Sequence, residues 1–151
     1  MVLIDAHNLM GRTPGLSLAD EERSRAVLAE RLAAWASGRR EAVVAVFDGN
    51  RAGGVHAERV GALEVVYTPA GRTADDEILR RLERGNPRTM TVVTSDRGLA
   101  RAARARGARV LGCGELLERM DRRARGRSGP EPAPPPDDVE YWLRKFRAEG
   151  R

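Results

Sequence analysis

Residues 91–111 read TVVTSDRGLARAARARGARVL, and this stretch decides the fold. Thr91–Thr94 is an apolar run closed by the polar pair Ser95-Asp96. Arg97–Arg106 then has helical periodicity and stops at Gly107, a residue suited to the end of a helix. Arg109–Leu111 is a further, short strand. Strand, helix and strand in succession predict two neighbouring parallel strands joined by a right-handed crossover.

The same alternation continues toward both ends. Val2–Ile4 is a strand ending at Asp5. Residues from Ser17 to about Ser37 predict a helix, with Val27, Leu28, Leu32 and Trp35 on one face. Ser17 and Asp20 have capping-box spacing, and a start at Asp20 fits as well. Ala42–Phe47 is a strand ending at Asp48, and Leu63–Tyr67 is the next. Thr73–Arg84 predicts a helix with Ala74, Ile78 and Leu82 in line. Gly114 to about Arg125 predicts another, with Leu116, Leu117, Met120 and Ala124 inward. The Gly-rich 48–62 connection has no helical pattern and reads as a mobile loop. Apolar strands without polar alternation, separated by helices, predict an α/β fold whose parallel sheet is covered on both faces.

Composition sets outer limits. The 151 residues have room for one domain, and 41% hydrophobic residues suffice for a core. Cys113 is the sole cysteine, which excludes an intrachain disulfide framework and a Cys-rich zinc site. No apolar stretch exceeds strand length, and MVLIDAHNL lacks the basic region of a signal peptide. A cytoplasmic protein without membrane contact is therefore expected. Five of the eight prolines lie in 130–136, so 126–136 reads as an extended linker. Asp137–Ala148 within the 137–151 tail then predicts a short amphipathic helix. Its Trp142 and Phe146 suit docking or base stacking.

The acids carry the chemistry. Asp5, Asp48 and Asp96 each end a predicted strand, and the carboxyl ends of parallel strands share one edge, where ligands bind. Asp75 and Asp76 open the helix after the third strand and reach the same edge. Carboxylates gathered in one crevice repel each other unless a cation lies among them, and hard oxygen ligands suit Mg²⁺ or Mn²⁺. Each acid also has a structural reading. Asp96 can cap the helix that follows it, Asp76 stands three after Thr73 as in a capping box, and Asp48-Gly49 can be a turn. Asp5 has the weakest structural reading, since no turn residue stands beside it. Asn8 can orient Asp5, hold a phosphate or turn the chain. His7 is expected to be structural, Glu77 to face solvent, and Cys113 to pack.

The net charge of +5 is unevenly placed. Residues 97–129 carry 10 basic and 3 acidic residues, while the segments on either side are each at net −1. Arg97, Arg101 and Arg104 stand at helical spacing, and Arg122 and Arg123 follow on the last core helix. With Ser95 at the crevice, these are the candidate polyanion contacts, because an arginine cluster beside an acid crevice fits a polyanion crossing a metal site. A solvated helix face is the plainer reading for any one of them.

VLIDAHNL, VVAVFDGN, TADDEIL and VVTSDRGLARAARARGARVL, in that order, resemble the NYN domains of the PIN-like nuclease superfamily, in their YacP-like bacterial branch. The resemblance covers 1–125. It implies a PIN-like doubly wound sheet of order 3-2-1-4-5 and metal-dependent endoribonuclease chemistry. It makes Asp5, Asp75 and Asp96 the metal-binding acids, Asn8 their support, and Asp48 an edge residue. It implies in-line attack of an activated water on an RNA phosphodiester, leaving a 5′-phosphate and a 3′-hydroxyl. Its partner is RNA, and the ribosome is a candidate partner. His7 stands where the branch usually has an aromatic.

Three other readings compete. A 5′ flap nuclease needs further DNA-binding helices. An Asp-nucleophile phosphatase needs a carboxylate two residues before Asp48, where Val46 stands. A non-catalytic RNA-binding or ribosome-docking module with the same fold remains as the alternative to an enzyme.

Overall fold

The computed structural model describes residues 1–49 and 54–128. Its elements are β1 (Val2–Asp5), α1 (Ala6–Arg12), a 3₁₀ turn at Leu18–Asp20, α2 (Glu21–Ala36), β2 (Val43–Phe47), β3 (His56–Val60), β4 (Leu63–Tyr67), α3 (Ala74–Arg84), a 3₁₀ turn at Pro87–Thr89, β5 (Thr91–Val93), α4 (Arg97–Ala105), β6 (Arg109–Leu111) and α5 (Cys113–Ser128).

The strands form one sheet in the order β3-β4-β2-β1-β5-β6, parallel throughout except for the antiparallel β3–β4 pair. The five strands expected from the sequence are β1, β2, β4, β5 and β6, and they stand in the expected order 3-2-1-4-5. Alternate residues of each strand face opposite layers. Ile4, Ala45, Phe47, Val65 and Val93 pack under α1, α2 and α5, against Leu9, Leu28, Leu32, Trp35 and Leu116. Leu3, Val44, Val46, Val66 and Val92 pack under α3 and α4, against Ile78, Leu82, Leu99 and Ala103. Each Val, Leu, Ile or Phe among them contributes about 1.5–3 kcal/mol on full burial, so both layers anchor the sheet. Gly107 ends α4 with φ +92°, in the left-handed region that favours glycine.

Three expectations need correction, and one helix is added to those read from the sequence. The 48–62 connection holds β3, an edge strand on β4. HAERV is almost wholly exposed, so it has no apolar alternation by which to be read. Residues after Asp5 form a further helix, α1, too short and too interrupted by Asn8 and Gly11 to show a period. Glu77 is buried, at 4% exposure. It lies on the inner stripe with Ala74, Ile78 and Leu82, and Arg72, Arg80 and Arg81 close over its carboxylate at 3.1–3.6 Å. Finally, α5 continues beyond 125 to Ser128, because Arg127 donates to the carbonyls of Ala34 (2.9 Å) and Ser37 (3.0 Å) at the end of α2. The rest of the linker and the 137–151 tail lie outside the described residues.

Candidate active site

Asp5 ends β1 and stands at the N-cap of α1. Its carboxylate is 6% exposed and accepts from the buried Thr94 hydroxyl at 3.2 Å. Burial, then the negative charge of Asp75, pushes the Asp5 carboxyl up to about 6. The Thr94 hydroxyl and the Asn8 backbone amide act in the opposite direction, and Asp48 adds to the rise. Asp75 is also raised, by burial first and then by Asp96, Asp48 and Asp76. Five strand-end or helix-start acids therefore share one crevice, with Asp75 coupled to all the others.

Each acid is placed by its element. Asp96 caps α4 by accepting from Leu99 N–H at 2.8 Å, and its own N–H donates to Thr94 Oγ1 at 3.1 Å. Capping thus occupies one Asp96 oxygen. Asp48 Oδ1 accepts from Ala74 N–H at 2.6 Å, tying the end of β2 to the start of α3 and fixing where Asp75 emerges. Asp76 closes a reciprocal capping box with Thr73. The Thr73 hydrogen bonds hold the Asp76 carboxyl below its ordinary value, so its side chain serves the helix terminus.

Asn8 is fixed from one side. Its Oδ1 accepts Ser95 N–H at 2.7 Å and the Cys113 thiol at 3.2 Å. Ser95 Oγ in turn accepts Cys113 N–H at 3.0 Å. Burial raises the Cys113 thiol, which keeps the proton it donates. Two donors on one oxygen define the amide orientation and leave Nδ2 as the donor of Asn8. Cys113 thus does more than the expected packing; its contact with Asn8 joins residues far apart in the chain and leaves no local spacing signal. His7 links Glu21 (Nε2, 2.8 Å) to the Asp48 backbone N–H, which donates to Nδ1 at 3.2 Å. The ring therefore carries its proton on Nε2 and braces α1 against α2.

The arginines divide into two groups. Arg97, Arg101 and Arg104 line one groove of about 570 Å³ with Ser95, Asp96 and Glu115. Arg122 is exposed on α5. Arg123 faces away from that groove and donates to the Ser37 carbonyl, where it covers the carboxyl end of α2.

The donor set of the crevice is all oxygen, as Mg²⁺ and Mn²⁺ prefer. Burial first, and neighbouring carboxylates second, raise the Asp5 and Asp75 carboxyls, and a cation between them would offset both. Among the described residues, no three His, Cys, Asp or Glu side chains converge on one point. Mg²⁺ commonly keeps several waters and takes only one or two protein carboxylates, so Asp5 and Asp75 fit this group without a closed cage. No described helix is long and apolar enough to cross a membrane.

Comparison with known proteins agrees with this architecture. The crystal structure of Rae1 (YacP) from Bacillus subtilis superposes with a TM-score of 0.69 at 26% identity, covering 99% of this chain and 83% of that one. A single-substitution variant of Rae1 gives 0.68, again at 26% identity, with 98% and 84% covered. No curated protein matches the chain in sequence. Residues 2–130 match the YacP-like NYN domain. The chain belongs to the YacP-like NYN domain family, a family of PIN-like nucleases.

Proposed function

We propose that the chain is a metal-dependent endoribonuclease hydrolysing RNA phosphodiesters, including mRNA on ribosomes. The observation that carries this reading is the placement of Asp5. It is a buried carboxyl raised to about 6, facing Asp75, and one strand from the arginine-lined groove that starts at Asp96. Burying acids together is costly in a purely structural protein and is characteristic of sites where charge does work.

Asp5 and Asp75 would hold Mg²⁺ or Mn²⁺, with Asp96 and Asp48 adding negative charge around them. Bound there, the ion would supply Lewis-acid stabilisation of the phosphate and of the leaving oxygen. The chain's own groups do the rest. Arg97, Arg101 and Arg104 hold the RNA backbone along α4. Asn8 Nδ2 donates to a phosphate oxygen, and Thr94 holds Asp5 Oδ2 in place. An ionised Asp5 accepts a hydrogen bond from the attacking water and orients it.

The test is cleavage of RNA by the purified full chain with Mn²⁺, beside the same chain carrying Asp5→Asn. Both free RNA and mRNA-loaded ribosomes are needed as substrates. Cleavage by the unaltered protein, with Asp5→Asn binding RNA but leaving it intact, supports the enzyme. Binding without cleavage by the unaltered protein on both substrates assigns the chain to the RNA-binding or ribosome-docking alternative.

A further inference from the structure

A second groove, of about 860 Å³, opens at the same sheet edge on the α2 side. Gly49, Thr68 and Pro69 are among its lining residues, and Gly49 follows Asp48 in the chain. Tyr67 and His56 also line the groove, and Phe47 lies buried behind Tyr67. Phe47, Tyr67 and His56 are register partners on β2, β4 and β3, so their side chains stand in a row on one face. The Phe47 and Tyr67 rings stack at 5.7 Å and the Tyr67 and His56 rings at 6.2 Å. Arg25 lies over both Phe47 and Tyr67 and donates to the Asp48 carbonyl at 3.0 Å. Buried Phe47 begins the row and exposed His56 ends it.

We infer that the His56–Tyr67 row is a stacking subsite for one unpaired nucleobase of the RNA strand that crosses the acid crevice. The inference rests on the nuclease reading above and adds where a flanking base is held. Sheet order places the parts in line along one edge: arginine groove, Asp96, Asp5, Asp48, Tyr67 and His56. Neighbouring strands are about 4.8 Å apart, so the row stands roughly 10–14 Å from the Asp5 strand, a nucleotide or two along an extended chain. Aromatic rings on strands stack bases without strong sequence preference. The rim supplies the selection. Glu22, Glu30 and Glu58 line this groove and form no ion pair among the described residues. Their charge repels phosphate and admits a neutral ring, and their oxygens accept from the amino groups of adenine, cytosine or guanine. The base enters while its phosphate stays at the mouth.

The experiment uses oligoribonucleotides made abasic at each position in turn. Binding to the full chain is measured in EDTA, and cleavage is measured with Mn²⁺. One abasic position is expected to weaken binding by about fivefold or more. In His56→Ala that position should cease to matter, while the remaining affinity is kept. His56 is exposed, so the variant loses little packing beyond its ring contact with Tyr67. If RNA is bound and cut but no position responds to His56→Ala, the stacking subsite is wrong and the nuclease reading stands. If RNA is neither bound nor cut, both fail. If an oligoarginine peptide binds in a manner abolished by Glu22→Gln and Glu58→Gln, with RNA affinity indifferent to His56→Ala, the groove belongs to a basic protein segment instead.

Discussion

The Thr94 hydroxyl donates to Asp5 Oδ2 at 3.2 Å and accepts the Asp96 N–H at 3.1 Å, so one buried side chain sets the spacing of two candidate metal-site acids on adjacent strands. Thr94→Val keeps the shape and removes both functions. The Asp5 carboxyl should rise further, because its strongest opposing influence is gone. Cleavage by Thr94→Val should fall tenfold or more, about 1.4 kcal/mol of barrier, whereas Thr94→Ser should keep most activity. Single-turnover rates of both variants check this.

Asp5 gives the protein a pH-dependent stability of known sign. Its folded pKa of about 6 exceeds the ordinary 3.8. Between those values the folded state binds more protons than the unfolded one, so stability falls as pH rises. The contribution is present below about pH 4 and is lost on passing pH 6. It is on the order of 3 kcal/mol if Asp5 alone is counted. Asp5→Asn should flatten this part of the profile and be the more stable protein at pH 8. Mn²⁺ should raise the Tm of the unaltered protein above pH 6 and leave Asp5→Asn much less affected. Thermal melts from pH 4 to 8, with EDTA or Mn²⁺, read all of these. A profile for Asp5→Asn that parallels the unaltered protein would remove Asp5 as its source.

Gly49 is required by a close approach. A Cβ there would stand 2.2 Å from the Thr68 carbonyl oxygen, a backbone atom that cannot step aside. Gly49→Ala should therefore cost about 1–3 kcal/mol. It should also reduce cleavage, because Asp48 is the neighbour that holds the start of α3, and with it Asp75. Chemical denaturation and cleavage measured together separate this from a simple turn glycine, whose replacement would leave activity per folded molecule intact.

The sheet was legible because β1, β2 and β5 are almost wholly apolar and even β4 and β6 keep apolar cores around Glu64 and Arg109, each strand being followed by a polar residue or glycine. The aspartates were legible for the same reason: a strand buried on both faces leaves its first carboxylate at the edge. Three features were not legible, each for a physical reason. β3 is held by backbone pairing with β4 and needs no apolar side chains, so HAERV resembles a loop. Glu77 fits the helical stripe by spacing, but its charge argued for solvent; three arginines supply the neutralisation. The Asn8–Ser95–Cys113 contacts join residues up to 105 positions apart, beyond any spacing rule. Charge spacing likewise could not tell Arg123, turned to α2, from Arg101, which faces the groove.

That last division makes a prediction with opposite signatures. Arg97→Gln, Arg101→Gln and Arg104→Gln should each weaken binding of single-stranded RNA without changing base preference. Each should also lower the slope of log affinity against log salt by about 0.7 for every phosphate left without its cation. Arg123→Gln should leave that slope unchanged. It should instead destabilise the fold, because the Ser37 carbonyl at the end of α2 loses a charged donor. Titrations at several salt concentrations, paired with thermal melts, distinguish the two groups. If Arg123→Gln reduced the salt slope as much as Arg101→Gln does, the RNA path would have to extend across α5 as well as α4. In that case the exposed Arg122 beside it would be the next residue to test.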